Sequence, residues 1–262
     1  MPVAFLARRF RAAASHYLTG RPPYPPRLIA RVAALTGLQR GGRVLDLGCG
    51  PGQLALAFSG FAAEVLAVDP EPEMLRVARA TAGGAPIRFV QGSSSDLGPA
   101  FGRFQLAVMG RSFHWMDRAD TLRRLDRLIE PGGAVALFGD THPELPDNAW
   151  RAAWREVLER YVEPGGGRPH RGAGWVGHEA FLFDSAFCRL DKVAAIDRRH
   201  IPVVTLVERA LSRSTHSPDL LGERIEMLSE EVVRALEPFV RDGMITEVVE
   251  TYALVATRGE AA

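Results

Sequence analysis

Apolar patterning predicts an α/β protein built on a seven-stranded, mostly parallel sheet with helices on both faces. Three observations carry this. Across the first 140 residues, short apolar runs of strand length alternate with stretches of helical spacing. Glycine or proline clusters punctuate the alternation. Strands that alternate with helices at this pitch need crossover connections, which build parallel sheets covered on both sides.

Each element has its own signal. A helix over 28–38 follows from apolar Leu28, Ile29, Val32, Leu35 and Leu38, opened by Pro25-Pro26 and stopped by Gly41-Gly42. A strand at 43–47 runs into the cluster Gly48-Cys49-Gly50-Pro51-Gly52, and helical character resumes over 53–59. A second strand, 65–68, ends at Asp69. The helix over 71–82 tolerates Pro72 in its first turn. Strands follow at 87–90 and 104–109. An amphipathic helix over 118–129 is expected to stop at Pro131-Gly132-Gly133, before a fifth strand at 134–138. After Asp140 the rhythm changes. We expect a helix at 150–161, a mobile glycine-rich loop at 164–177 and a strand at 191–200. A helix at 203–211, a long helix at 220–236 and a terminal strand at 245–257 complete the chain. The expected layout is a helical N-terminal segment (1–40), a core (41–140), a helical cap holding the sixth strand (141–244) and a last strand (245–262).

Composition narrows the function classes. A chain of 262 residues can bury a full core without cross-links. Two cysteines, Cys49 and Cys188, exclude a disulfide scaffold. No apolar run approaches the roughly 20 residues of a membrane span, so no membrane role is expected. No His/Cys/Asp/Glu group has zinc spacing, so no metal is expected. Net charge is +1, which gives no warrant for nucleic-acid binding. Yet the first 45 residues hold eight arginines and no acid. One reading is a basic arm that attracts an anion. The favoured one is a solvated face in an arginine-biased chain, because Lys192 is its only lysine. The first 11 residues also have the arginine-rich look of a targeting peptide, but no cleavage region follows, so a cytoplasmic protein is expected.

The run Val44-Leu45-Asp46-Leu47-Gly48-Cys49-Gly50-Pro51-Gly52 is the sharpest signal. Glycines at a strand-to-helix turn let backbone approach a ligand closely. Their spacing is G-x-G-x-G, whereas a dinucleotide loop needs G-x-G-x-x-G. An acid two residues before the first glycine would repel a pyrophosphate and suits a cationic ligand. Asp69, at the end of the second strand, stands where a carboxylate can accept hydrogen bonds from ribose hydroxyls. Alternatively, Asp46 caps a turn and Asp69-Pro70 opens one.

With VLAVDPEPEML following it, this run resembles the class I S-adenosylmethionine-dependent methyltransferases over about residues 40–140. The resemblance implies a Rossmann-like core and S-adenosylmethionine as cofactor. It implies that Gly48, Gly50 and Gly52, with Cys49 as a wall and Gln53 after them, form the cofactor loop. Asp46 would lie beneath it, orienting the cofactor amino group. Asp69 would hold the ribose diol, and Pro70 and Met74 would line the adenine. The segment Gly92-Ser93-Ser94-Ser95-Asp96-Leu97 matches the family's adenine-amino segment, without the acid that often follows the glycine. Ser94, Ser95 and Asp96 are therefore candidates, with Ser93 open beside them.

After the fourth strand, Gly110-Arg111-Ser112-Phe113-His114-Trp115 resembles the small-molecule subgroup that includes trans-aconitate methyltransferases. Arg111 is then another cofactor-site candidate. Arg21-Pro22-Pro23-Tyr24-Pro25, preceded by Tyr17, resembles that subgroup's N-terminal lid, which makes 1–40 a lid and brings Tyr17 and Arg21 to the cofactor carboxylate. Ser212-Arg213-Ser214 and Leu220-Leu221-Gly222 resemble its cap. The implied reaction is in-line methyl transfer to a small-molecule acceptor, an oxygen before nitrogen or carbon, by a monomer or homodimer. A phenol or alcohol would benefit from a base, and a carboxylate needs none. His114 is the candidate base, with His178 second, although an imidazole there can equally pack on the cofactor or hold a loop carbonyl. His142, His170, His200 and His216 read as surface or loop residues. The aromatics Trp150, Trp154, Tyr161, Trp175, Phe181 and Phe183 read first as a cap core and second as an apolar acceptor pocket. An RNA or protein methyltransferase and a non-catalytic cofactor binder are the alternatives, and a nicotinamide reductase fails on glycine spacing.

Overall fold

Seven strands form one sheet in the order β3-β2-β1-β4-β5-β7-β6. The computed structural model describes residues 12–162 and 175–259. The glycine run at 165–167, His170 and the first 11 residues lie outside the described residues. The strands are β1 Arg43–Leu47, β2 Glu64–Asp69, β3 Ile87–Gln91, β4 Phe104–Gly110, β5 Ile129–Thr141, β6 Arg189–Pro202 and β7 Met244–Thr257. The first five run parallel, and β7 pairs antiparallel with both β5 and β6. The chain reverses direction across the sheet between β3 and β4, on either side of β1. That is the switch point at which open α/β sheets leave a crevice at the carboxyl ends of their strands.

The helices up to the sheet's fifth strand are α1 Ala14–Gly20, α2 Pro26–Leu35, α3 Gln53–Phe58, α4 Pro72–Thr81 and α5 Arg118–Leu128. Beyond it come α6 Trp150–Arg160, α7 His178–Phe183, α8 Val203–Leu211, α9 Pro218–Leu221 and α10 Ile225–Leu236. Central strands are buried on both faces, which is why β1 and β2 read as continuous apolar runs. One core cluster joins α2 and α3 to one face, through Val32, Phe58, Val108 and Phe138. A second joins α5 and α7 to the other, through Leu66, Phe104, Leu125 and Phe187. A third is made by α6, α8, α9 and α10, with Trp150, Trp154, Leu206 and Val232 inside.

Two boundaries differ from the sequence reading. The helix expected to reach 129 ends at Leu128, and Pro131-Gly132-Gly133 lies inside β5 rather than before it. Ile129 pairs with Phe104, and pairing resumes at Ala134 opposite Leu106 after a register shift. The segment acts as a bulge, with Gly132 at a left-handed φ of 76°. The long helix expected over 220–236 is broken: Gly222 has a φ of 55°, so α9 ends, a single 3-10 turn follows, and α10 begins at Ile225. The cap aromatics also divide. Trp150, Trp154 and Tyr161 are buried in the third cluster, Phe181 packs on the second, and Phe183 is exposed.

Phe58 is fully buried, its ring edge-on to Phe138 at 5.9 Å. Phe58→Ala is expected to lower unfolding free energy by about 3–5 kcal/mol. Chemical denaturation against the parent measures it.

Candidate functional site

The crevice at the strands' carboxyl ends is a cavity of about 540 Å³. Its floor begins where β1 stops. Gly48, Gly50 and Gly52 all have left-handed φ, at 68°, 54° and 81°. The N–H groups of Gly48 and Cys49 both donate to Val68 O, at 2.8 and 3.0 Å, which folds the turn onto β2. A Cβ on Gly48 would stand 2.6 Å from Ser112 Cβ, so only glycine permits the approach of the β1 turn to the β4 turn. Ser112 Oγ closes that contact by donating to Leu47 O at 2.8 Å.

Asp69 is the last residue of β2. Its Oδ2 accepts from Gly50 N–H at 2.8 Å and its Oδ1 from Glu71 N–H at 2.9 Å. Burial pushes its pKa up to about 6, although both amide bonds work the other way. Asp46 lies deeper and is 1% exposed. Its Oδ2 accepts from Ala55 N–H at 2.8 Å, inside the first turn of α3, and its Oδ1 has no hydrogen-bond partner. Burial drives Asp46 up to about 8, helped by the nearby Asp69 charge. Two carboxylates under one glycine turn thus share a need for a donor or cation.

Pro70 and Met74, with Ser93, Ser94 and Ser95 after β3, line the same end of the cavity. Asp96 does not. Its Oδ2 accepts from Ser93 N–H and Oγ, at 2.7 and 2.9 Å, in a capping box that keeps the carboxylate turned to its own backbone. Cys49, Gly52 and Gln53 also stay off the cavity wall, as does Asp46 beneath the turn. Burial raises the Cys49 thiol pKa well above its ordinary value, so the thiol stays neutral and is not a nucleophile.

The other end is cationic. Arg111, at a φ of 58°, follows β4. Its Nε donates to Asp140, its Nη2 donates to Pro22 O at 2.8 Å, and its guanidinium lies 4.6 Å from the Tyr24 ring centre. Burial opposes the charge of Asp140, but Arg111 overcomes it and holds that carboxyl at about 2. Burial raises the Tyr24 phenol above its ordinary range, so it serves as a neutral platform. Tyr17 and Arg21, at the end of α1, reach the same wall, with the guanidinium 5.3 Å from the Tyr17 ring centre. Arg21 Nη2 donates to Ser212 O at 3.2 Å.

His114 sits in the single turn after β4 and lines the cavity, 5.1 Å from Trp115 and 6.4 Å from His178 between ring centres. His178, on α7, reaches this wall from the cap, with Arg118 Nη1 3.5 Å from its Nδ1. Two other histidines read as surface residues are instead drawn inward, His216 buried and His142 half-buried. His142 Nε2 is 2.7 Å from Glu247 Oε1, and His216 Nε2 is 2.8 Å from Leu158 O. Among the described residues no group of three or more His, Cys, Asp or Glu could hold a metal, and no helix is long and apolar enough to cross a membrane.

The sequence reading missed Glu71, Ser112, Tyr252 and Asp140 as wall residues. Asp140 was legible in principle: it is an acid at the carboxyl end of a parallel strand, obscured because the strand was ended at 138 rather than at Thr141. Tyr252 carried no local signal. It reaches the site only because β7 pairs Tyr252 with Gly139.

Comparison with known proteins adds three findings. Residues 44–133 match the model of a family described as methyltransferase domain. An uncharacterised methyltransferase of Mycobacterium tuberculosis is 33% identical over 155 residues, which are 59% of this chain and 60% of the relative. A malonyl-[acyl-carrier protein] O-methyltransferase of Enterobacter lignolyticus is 33% identical over 159 residues, again 59% and 60%. The matches thus span about 60% of these relatives' length. In structure, the chain is similar to an S-adenosylmethionine-dependent methyltransferase of Geobacter sulfurreducens solved with S-adenosylhomocysteine: TM-score 0.55, 17% identity, 97% of this chain and 99% of that one. At that identity the likeness is one of fold.

The raised carboxyls give a signed pH dependence. Asp46 and Asp69 have folded pKa values, about 8 and about 6, above the roughly 4 of an unfolded Asp. Their neutral forms favour the fold, so their stabilisation is complete below about pH 4 and is lost as pH rises through 6 and 8. Asp46→Asn is expected to flatten that fall, leaving the melting temperature near the parent's at pH 5 and above it at pH 8.5. Thermal unfolding of the ligand-free chain at both pH values tests this.

Proposed function

We propose that this chain, whose residues 44–133 match the model of a methyltransferase domain, transfers the methyl group of S-adenosylmethionine in line to a small-molecule acceptor, with an oxygen as the attacking atom. The observation that carries the reading is one cavity with two opposite ends. Carboxylates and serines stand at the β2 and β3 side, guanidiniums at the β4 and β5 side, and the glycine turn lies between. The buried, unpartnered Asp46 Oδ1 and the Gly48 approach that a Cβ would block fit the cofactor rather than a pyrophosphate.

In this reading Asp69, held by two amides, keeps lone pairs for the ribose diol. Met74 and Pro70 pack on the adenine, and Ser93, Ser94 or Ser95 meets its amino group. Asp46 draws the cofactor amino group toward the turn, while Tyr17, Arg21 and Arg111 receive its carboxylate. Bound, the cofactor supplies a methyl on a sulfonium. The chain's own contribution is positioning, worth up to about 7–11 kcal/mol in well-oriented systems, with exclusion of water. His114 takes the proton of a phenol or alcohol acceptor and has no proton to take from a carboxylate. His178, Arg213 and Tyr252 complete the acceptor wall. The O-methyltransferase named among the relatives supports oxygen, and the cationic wall supports an acidic acceptor.

Calorimetric titration with S-adenosylmethionine and S-adenosylhomocysteine, beside a nicotinamide dinucleotide, tests the cofactor. Micromolar affinity for the sulfur ligands alone is expected, and no binding by folded protein would overturn the reading. Asp69→Ala should weaken that binding by about 1.5–3 kcal/mol. Binding without turnover on small acids, phenols or alcohols would favour a non-catalytic binder. With a phenol or alcohol, His114→Ala should lower turnover and leave cofactor affinity unchanged. An unaltered pH profile of turnover from 6 to 9 would remove His114 from the base role.

A further inference from the structure

Glu247, on β7, is wholly buried. Three side chains converge on it from three elements: Arg209 of α8 through Nη1 and Nη2, His142 beyond β5 at 2.7 Å, and Arg199 of β6 at 3.7 Å. Burial by itself would raise its pKa, yet His142 and Arg209 hold it at about 2. Assembling such a group in a dry interior is unfavourable, and packed apolar side chains would stabilise the fold as well or better. Its position explains it differently. Arg209 directs its third nitrogen, Nε, to Gly20 O at 2.8 Å, the end of α1. Gly20 lies flush on α8, where a Cβ would stand 2.5 Å from Arg209 N. The next residue, Arg21, is on the cavity wall, and Tyr17 is one turn earlier. An outer strut, His16 to Glu208 at 2.7 Å, runs parallel to this line.

We propose that Glu247 is a positioning residue for the cavity: through Arg209 it sets where Gly20 sits, and therefore where Tyr17 and Arg21 stand. It touches no ligand. A guanidinium held by a carboxylate on two of its nitrogens has one orientation, so its third nitrogen presents a fixed hydrogen bond. The carbonyl of α1's last turn meets that donor in one place only. The sheet thereby dictates the location of a seven-residue helix too short to hold its own position. The effect on cofactor binding rests on the reading above, whereas the anchoring of α1 does not.

Three variants separate the possibilities. Glu247→Gln removes the charge, Gly20→Ala lifts α1 from α8 without disturbing any charge, and Leu228→Ala in the α10 core lowers stability elsewhere. Backbone hydrogen exchange over 14–20 and calorimetry with S-adenosylhomocysteine are read for each. Glu247→Gln and Gly20→Ala are both expected to speed exchange and weaken binding by about tenfold, as for loss of a charge-assisted hydrogen bond. KM for the cofactor should rise similarly, with kcat at saturation within a few-fold of the parent. Leu228→Ala should lower the melting temperature and leave exchange at α1 and affinity alone. If Glu247→Gln fails to fold, Gly20→Ala decides. Exchange no faster than in Leu228→Ala, or faster exchange at parental affinity, overturns the proposal. If the parent binds no S-adenosylhomocysteine, the methyltransferase reading fails, and exchange at α1 alone decides the anchor.

Discussion

The hydrogen bond from Gly50 N–H to the Asp69 carboxylate ties the β1 turn to the end of β2, and the site is organised around it. It works with the Gly48 and Cys49 amides, which fold the turn onto β2 by donating to Val68 O. One oxygen of Asp69 faces the turn and the other faces the start of α4 through Glu71 N–H. The glycines make this possible because their left-handed conformations turn successive amides toward β2 and toward Asp69. Ser112 then draws the β4 turn against Gly48, so the two central turns are held together.

Desolvation gives the cavity its polarity. Under the glycine turn, Asp46 and Asp69 have no cationic partner, and burial raises both. At the β4–β5 side, Asp140 has Arg111 against it and is driven low. The contrast arises because carboxylates held only by amides remain hungry for positive charge, whereas a paired carboxylate is already satisfied. A ligand with a cationic part near the turn and an anionic part near Arg21 and Arg111 relieves both ends at once. A dinucleotide, negative at its centre, would relieve neither. The same logic makes Arg111 less mobile than its length suggests: Asp140, Pro22 O and the Tyr24 face together leave it one orientation.

A second buried charge cluster, around Glu247, lies off the wall of this cavity. It joins β7, α8, the end of β5 and the end of α1, four elements separated by up to about 230 residues of chain. Arg209 ties α8, one of the helices of the third core cluster, to this group, and just beyond α8 Arg213 and Thr215 reach the cavity wall.

The alternating core was legible because its signals are local. Strand-length apolar runs, a glycine turn of fixed spacing and prolines at helix starts depend on neighbours within a few residues. For this reason the sequence by itself determined β1 to β4, the glycine turn and Asp69 at its strand end, whereas the candidacy of Arg21 and His114 came from the resemblance of their segments to a known subgroup. The bulge inside β5 and the break at Gly222 were misread: glycine marks both, but whether it ends an element or kinks it depends on what packs beside it. Asp96 was drawn away from the cavity by a capping box that its own backbone could satisfy sooner than a ligand could. Only the tertiary structure decided the pairing of Arg111 with Asp140, the approach of Tyr252 to Gly139 and the convergence on Glu247. The first depends on the parallel pairing of β4 with β5, which sets Gly110 opposite Phe138; the others depend on the antiparallel insertion of β7 between β5 and β6, or on the docking of α1 against α8. No local pattern encodes the register of strands about 110 residues apart, because that register is set by the complementarity of the surfaces they bury together.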